Sequence, residues 1–426
     1  SALPCTIKDR IAHEVAQTAL IERLPLARLD EVALDHQIGV AVDLDFQPLA
    51  ELAGVVACHD SDSVTLCVKD GLWYDIAAMA IPLICEHSDP AVVPGEAAGG
   101  PAFPAPGSPA DMVTAPAELC RLLGLDSTIA TDAEEAARQF PMLVPRALLA
   151  RIAHGDANDP VLRQVLPQPD ELVSPAGFST DPVEEVAGAC VPGLLRKYPG
   201  RSLMVATKRC GVHCRYCFRR HFPFDSGTAA TDDWRPALAE IAHDTSTREV
   251  ILSGGDPLTL PDAELARLAD RLAAIPHVRR LRVHTRMPVV RPQRVVPELI
   301  GWLRATRLTP IMVIQANHAA ELNAEAGAAL GWLVDAGVPV LSQSVLLRGV
   351  NDSVDALTAL LERLVELRVM PYYLHQLDRV AGAAHFEVPE ACGKALLAAV
   401  RSQLPGYAVP RYVCQPPSGP SKLVLA

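Results

Sequence analysis

The sequence KRCGVHCRYCFRR, residues 208–220, carries three cysteines, Cys210, Cys214 and Cys217, at C-x3-C-x2-C spacing. The apolar run directly before it, residues 202–207, has the character of a buried strand. The cysteines therefore lie on the loop that leaves a strand, within reach of one another. A turn of this length can fold three thiolates around one point, one ligand short of a closed four-coordinate zinc site.

The residues alone leave three interpretations of these cysteines open. They could be packed thiols, although the regular spacing argues against that. They could form a zinc site completed by His213 or His221. They could also hold an iron–sulfur cluster, since thiolates are the usual ligands of such clusters.

Composition limits the function classes. The chain has 426 residues, half of them hydrophobic, and a net charge of −12, which argues against general nucleic-acid binding. No apolar run is long enough to cross a membrane, and no signal peptide is visible. The 11 scattered cysteines do not form a secreted disulfide framework. We therefore expect a cytoplasmic protein.

The first part of the chain divides by composition. Residues 1–88 form an N-terminal segment of unknown role, with an amphipathic helix predicted at 9–24 and a strand at 63–68. Residues 89–110 form a Pro/Gly/Ala linker that cannot build a core. Residues 111–195 form a helical lead-in region, with short helices predicted at 115–123, 132–140 and 145–154 and Asp132 as an N-cap.

From residue 196 to 426 the pattern is regular and predicts an α/β fold with a parallel sheet. Six strand–helix units suggest a barrel or partial barrel, whose chemistry lies at the carboxyl ends of the strands. The cysteine loop leaves the first strand at that end. Strands are predicted at 203–207, 249–253, 281–285, 311–315, 338–344 and 370–374, and helices at about 232–243, 262–274, 293–305, 320–336, 354–366 and 389–401.

Two other strand ends carry polar residues. The second strand ends in SGGDPL, where Gly254 and Gly255 allow a ligand to approach the backbone and Asp256 could accept from an ammonium group. The fifth strand ends in LSQSV, where Gln343 and Ser344 could face the same rim. Alone, the Gly-Gly-Asp run is a weak signal, since it often only forms a turn. The Gln343–Ser344 pair is equally typical of a polar strand end without a binding role.

A lysine, Lys422, follows a Pro/Gly/Ser loop near the last residue of the sequence. A lysine in this position is usually solvated. Its amine could also form a Schiff base with pyridoxal phosphate (PLP), if its surroundings lower its pKa.

Taken together, these motifs make the chain from about residue 111 onward resemble the lysine 2,3-aminomutase family of radical S-adenosylmethionine (SAM), PLP-dependent enzymes. The resemblance implies a partial (β/α)6 radical SAM barrel with a helical N-terminal extension. It is closest to the branch that acts in the (R)-β-lysylation of elongation factor P. The runs that carry the likeness to this branch are residues 160–166, 175–182, 217–223, 370–375 and 382–386, with the ending PSK at Lys422.

The resemblance assigns expected roles to individual residues. A [4Fe-4S] cluster bound by Cys210, Cys214 and Cys217 would leave one iron to be chelated by SAM. The further roles implied are SAM contacts by Gly254, Gly255, Asp256, Gln343 and Ser344, Schiff-base formation by Lys422, PLP-phosphate binding by Lys197 and Arg201, and substrate binding by Arg219 (carboxylate) and Asp378 (ε-ammonium).

The sequence departs from the lysine-specific members at two points. They place a second aspartate seven residues before the PLP lysine, where this chain has Gln415. A neutral amide gives up a charge-assisted contact to the substrate ammonium group. The chain also ends before the zinc-binding tail of the clostridial type, so we expect no structural zinc.

The implied function is an isomerase that converts L-lysine to (R)-β-lysine, which a separate ligase attaches to elongation factor P. A one-electron reductant such as flavodoxin or ferredoxin would be needed, with no nucleic-acid or membrane partner, and homo-oligomer formation stays open. One alternative is a free-amino-acid aminomutase for lysine or glutamate. A distant one is a non-catalytic iron–sulfur or zinc-binding protein. Residues 1–108 are either an accessory docking domain or an extension that the activity does not need.

Overall fold

The computed structural model describes residues 111–186, 188–224, 234–416 and 421–426, with four short strands earlier in the chain. The chain divides into two compact units, residues 1–98 and 99–426. The predicted linker at 89–110 and the predicted helix at 9–24 lie outside the described residues. The predicted roles of these segments stay predictions.

The N-terminal unit contains an antiparallel sheet whose four described strands pair in sequence order. The strand predicted at 63–68 is confirmed, and it pairs with the strands on both sides of it. The strands are β1 Gly39–Val40, β2 Val56–Asp60, β3 Ser63–Val68 and β4 Leu72–Asp75.

The second unit is built on one ten-stranded sheet, preceded by a small pair, β5 Met112–Val113 and β6 Val144–Pro145. Seven consecutive strands, beginning at residue 201, run parallel, and the strands at both ends of the sheet are antiparallel. This arrangement confirms the α/β partial barrel. The ten strands are β7 Ala189–Val191, β8 Leu194–Tyr198, β9 Arg201–Thr207, β10 Glu249–Gly254, β11 Arg280–Thr285, β12 Thr309–Gln315, β13 Val340–Val345, β14 Met370–His375, β15 Arg411–Cys414 and β16 Leu423–Val424.

Helices connect the parallel strands, as predicted, and no helix of the described residues is long and apolar enough to cross a membrane. The α-helices are α1 Pro116–Leu123, α2 Ser127–Gln139, α3 Arg146–Leu149, α4 Arg235–His243, α5 Asp262–Ala273, α6 Met287–Val290, α7 Pro297–Arg304, α8 Ala324–Asp335, α9 Val354–Glu366 and α10 Glu390–Arg401. Short 3-10 helices are Leu162–Gln164, Pro169–Leu172, Pro257–Thr259, Pro292–Arg294, Ala319–Glu321, Ala384–Phe386 and Gly406–Ala408.

Helix α9 shows how the sequence forms this outer layer. The hydroxyl of Ser353 caps it by accepting from the backbone N–H of Ala356. Its buried leucines recur with a period of three to four residues and form one apolar stripe toward the sheet. These residues are Leu357, Leu360, Leu361 and Leu364.

Three expectations about local structure were wrong or incomplete. The N-cap of α2 is Asp126, which accepts from the N–H of Thr128 at 2.8 Å, so the helix begins before the predicted cap Asp132. The predicted helix at 145–154 shortens to α3. Strands β5 to β8 were not predicted. Neither were β15 and β16, which are only four and two residues long. They extend the sheet beyond the sixth predicted strand and carry the chain to Lys422.

Candidate active site

The cysteine loop opens into a cavity of about 930 Å³ at the carboxyl ends of the parallel strands. Cys210, Cys214 and Cys217 all line it, as predicted from the loop position. The loop closes locally where the N–H of Cys217 donates to the carbonyl of Cys214 at 3.0 Å. The lead-in region also fixes it, since the N–H of Arg215 donates to the carbonyl of Gln164 at 2.9 Å.

These thiols are suited to an iron–sulfur cluster. All three line one cavity, and thiolates are the usual ligands of such clusters. Burial raises the pKa of Cys217 to about 11 and that of Cys210 well above its ordinary value. Bound iron would supply the positive charge that these thiolates need.

Two glycines at the end of the second strand pack closely against the start of the cysteine loop. Gly254 has a φ of +121°, and a Cβ at Gly255 would lie 2.1 Å from the carbonyl oxygen of Arg209. The N–H of Gly255 donates to the carbonyl of Thr207 at 2.8 Å. Glycine is therefore required here by the close approach of two backbones, and both glycines line the cavity.

The carboxylate of Asp256 lies at the cavity wall but is already engaged. One oxygen accepts from the N–H of Leu258 at 3.0 Å and from the hydroxyl of Thr285 at 2.7 Å. The other accepts from the N–H of Arg286 at 2.7 Å. Asp256 thus connects the ends of β10 and β11, and its predicted contact with SAM stays a prediction.

The predicted polar pair on β13 must be corrected. Gln343 lines the cavity, where its amide lies 3.5 Å from that of Gln315. The hydroxyl of Ser344 instead donates to the carbonyl of Ala316 at 2.6 Å, and Ser344 is not among the lining residues. Successive side chains of a strand point to opposite faces, so the two cannot share one face.

Lys422 reaches the same cavity from the last strand pair. Its Nζ donates to Oε1 of Gln415 at 2.5 Å. Burial lowers the pKa of Lys422 to about 8, although the nearby carboxylate of Asp378 acts in the opposite direction. A lysine with this pKa has a substantial fraction of neutral amine at physiological pH, which suits covalent attachment to an aldehyde.

The other predicted PLP and substrate residues also line this cavity. Lys197 donates to the carbonyl of Val183 at 2.7 Å, and burial lowers its pKa. Arg201 lies with its guanidinium carbon 5.5 Å from the ring centre of Tyr198. Burial raises the pKa of Asp378 to about 6, with Lys422 opposing the rise, so this carboxylate is largely ionised at neutral pH.

Arg219 is buried and held by a carboxylate that the sequence did not single out. Its Nε and Nη2 donate to the two oxygens of Glu185 at 2.6 and 2.7 Å, and its Nη1 donates to the hydroxyl of Ser253 at 2.9 Å. Glu185 precedes the sheet by a short loop, where acidic residues are usually solvated. No local pattern could have revealed this ion pair.

Two histidines in the cavity were also missed. Burial holds the pKa values of His284 and His375 well below their ordinary value, so both rings are neutral. Nε2 of His284 is buried and has no hydrogen-bond partner in the structure. Both occupy the inward-facing positions of β11 and β14, and that alternation was the available signal.

Comparison with known proteins places these residues in a family context. The model of the Radical SAM superfamily matches residues 204–312. An L-lysine 2,3-aminomutase of Escherichia coli (strain K12) is 43% identical over 317 residues, 74% of this chain and 92% of that protein. Another, of Haemophilus influenzae, is 40% identical over 314 residues, 74% of this chain and 93% of that protein. That of Clostridium subterminale is 38% identical over 295 residues, 68% of this chain and 69% of that protein.

Proposed function

This chain belongs to the L-lysine 2,3-aminomutase family of radical SAM enzymes, and we propose that it converts L-lysine to (R)-β-lysine with PLP held by Lys422. One observation carries the proposal. A single cavity brings together the three cysteines, the glycine pair and the amine of Lys422, although the chain separates them by as many as 212 residues, from 210 to 422. An enzyme that combines cluster, SAM and PLP chemistry requires this convergence.

Cys210, Cys214 and Cys217 would hold the [4Fe-4S] cluster, which together with SAM supplies a 5′-deoxyadenosyl radical when bound. Gly254 and Gly255 keep the second strand close to this loop without side chains, so a ligand can contact their backbone. Apolar side chains such as Tyr216 and Ile251 form part of the cavity wall, and this limits access of water to a reactive species.

Lys422 would hold PLP, which stabilises radical character on a substrate amino acid when bound. Lys197 and Arg201 would bind the PLP phosphate, and both line the cavity. Burial keeps part of the Lys422 amine neutral near pH 8, and Gln415 orients this amine by accepting a hydrogen bond from it.

Asp378 would bind the ε-ammonium group of the substrate, since its half-buried side chain lines the cavity and its carboxylate ionises near pH 6. Arg219 would bind the substrate carboxylate. Its fork is occupied by Glu185 in this structure, so substrate binding would have to share or replace that ion pair. Substrate recognition therefore couples to the lead-in region, where Glu185 lies.

The product would be used for modification of elongation factor P, after a low-potential reductant such as flavodoxin or ferredoxin has supplied the electron. Support for this downstream use comes from the sequence runs shared with that branch, including PSK at Lys422 and CFRRHFP from Cys217.

The test is an anaerobic assay of protein reconstituted with iron and sulfide and supplied with PLP, SAM, dithionite and L-lysine. We expect both β-lysine and 5′-deoxyadenosine, with the (R) configuration established by chiral chromatography. Deoxyadenosine without β-lysine would keep the radical chemistry and reject lysine as the substrate. Neither product, from protein with a confirmed cluster and bound PLP, would reject the proposed activity.

A further inference from the structure

A buried arginine contacts one of the three cysteines from the end of the third parallel strand. Nη1 of Arg286 donates to Sγ of Cys214 at 2.8 Å. Only 5% of Arg286 is exposed, so solvent screens this contact weakly. Its guanidinium carbon also lies 5.8 Å from the ring centre of Tyr216, on the same loop.

The Nη2 group of Arg286 is held by the lead-in region and by the 3-10 helix Ala319–Glu321 that follows the fourth strand. Its Nη2 donates to Oε1 of Gln164 at 2.7 Å and to Oε2 of Glu321 at 2.6 Å. The other oxygen of Glu321 accepts from the N–H of Asn317 at 2.8 Å and that of His318 at 3.0 Å. Glu321 is fully buried, so this network holds the guanidinium in one orientation against the sulfur.

A cation beside a ligating sulfur favours the redox state with more negative charge. Hydrogen bonds to cluster sulfurs and nearby charge are among the main influences on cluster potential. Reduction adds one electron to the cluster, so a buried guanidinium at Cys214 stabilises the reduced form. The carboxylate of Glu321 partly neutralises the same guanidinium and acts in the opposite direction.

We propose that Arg286 is a positioning residue that acts through Cys214 to raise the reduction potential of the cluster, and that Glu321 limits this rise. The inference rests on the proposed cluster site. It assigns a redox role to a charge pair at the ends of the third and fourth strands, outside the cysteine motif. The electron itself comes from a low-potential one-electron reductant and enters the cluster without any change in the arginine.

The test is a redox titration of the reconstituted full chain, with the reduced cluster followed by electron paramagnetic resonance. At a fixed potential near the wild-type midpoint, Arg286→Gln should lower the ratio of reduced to oxidised cluster about tenfold, a shift of about 59 mV for one electron. Glu321→Gln should raise the ratio. The ratio for Arg286→Lys should lie between those of Arg286→Gln and the wild type. Lysine keeps the positive charge but lacks the planar guanidinium that contacts both the sulfur and Glu321.

Arg291→Gln is the matched control, because Arg291 follows the same strand and pairs with Asp111 at 3.2 Å. Its potential should equal that of the wild type. Unchanged potentials in Arg286→Gln and Glu321→Gln at full iron content, or shifts of the same sign in both, would overturn the inference. If Arg286→Gln does not fold, Arg286→Lys and Glu321→Gln carry the test. A wild-type protein that assembles no cluster would reject the proposed function and this inference with it.

Discussion

Lys422 and Gln415 face each other across the last strand pair, with 2.5 Å between Nζ and Oε1. Strands β15 and β16 are antiparallel, and Cys414 pairs with Leu423, which places these two residues just beyond the paired ends. The amine therefore lies beside a neutral amide, where a carboxylate would hold it protonated. Burial lowers the pKa of Lys422 to about 8, although the carboxylate of Asp378 opposes the shift.

Replacing Lys422 should remove covalent PLP attachment. Lys422→Ala should give no borohydride-trapped PLP adduct by mass spectrometry and should lower β-lysine formation by at least about 1000-fold, as expected for loss of a covalent catalytic group. Iron content should stay at the wild-type level, since Lys422 lies on a different strand pair from the cysteine loop. Lys394→Ala, at an exposed lysine paired with Glu390, is the control and should behave as wild type. Retention of the adduct in Lys422→Ala would show that another lysine holds PLP.

The rate of PLP attachment should depend on pH through the neutral fraction of Lys422. Because its pKa is about 8, this fraction rises about tenfold per pH unit below that value and levels off above it. Stopped-flow absorbance of apoprotein mixed with PLP between pH 6 and 9.5 measures the profile. A rate that still rises tenfold per pH unit at pH 9.5, as expected for the ordinary lysine value of 10.5, would mean that Lys422 is not buried in solution.

Two substitutions of Gln415 should move the midpoint of the pH profile for PLP attachment in opposite directions. Gln415→Glu places a carboxylate beside the amine, favours the ammonium form and should raise the midpoint. Gln415→Met has a similar length but accepts no strong hydrogen bond, so the midpoint should fall. The same pH profile measures both variants. Equal midpoints in the two would show that residue 415 does not contact the amine in solution.

The ion pair of Arg219 and Glu185 should be strongly coupled in the apoprotein. Arg219→Gln leaves Glu185 buried without its partner and should cost about 3–5 kcal/mol of unfolding free energy. The double variant Arg219→Gln with Glu185→Gln should recover part of that loss, because it leaves no unpaired charge. Urea denaturation of all four proteins gives the coupling energy.

A surface pair provides the comparison for this cycle. Lys394 and Glu390 are each about half exposed, at 46% and 48%, and should show little coupling. Additive effects of Arg219→Gln and Glu185→Gln would mean that the bidentate contact does not persist in solution.

Gly255→Ala should disturb the cysteine loop. Its Cβ would lie 2.1 Å from the carbonyl oxygen of Arg209, and a backbone atom cannot move aside without shifting the loop. We expect a loss of about 1–3 kcal/mol of unfolding free energy and reduced iron content after reconstitution. Gly301→Ala in α7 meets no atom within 4 Å and should leave iron content unchanged. Equal iron content in the two variants would contradict the close approach.

Much of the fold followed from local pattern. Six parallel strands were predicted because each is an apolar run followed by an amphipathic helix, and the local spacing of Cys210, Cys214 and Cys217 already placed them on one loop. Lys422 came from family resemblance, since its surroundings in sequence are those of a solvated lysine. The expectation that Ser344 shares the cavity rim with Gln343 was wrong. It treated the strand end as one polar patch, although neighbouring side chains of a strand point to opposite faces.

The sequence by itself determined the βα repeat, the cysteine loop at a strand end and the chemistry available to three thiols and an amine. These depend on residues near one another in the chain, where periodicity and spacing are visible. Only the tertiary structure decided that Glu185 holds Arg219, that Gln415 faces Lys422 and that Arg286 donates to Cys214. Two of these contacts join residues 34 and 72 positions apart, and the third depends on how two edge strands pair. Their partners are set by the packing of the sheet, which leaves no local signal in the sequence.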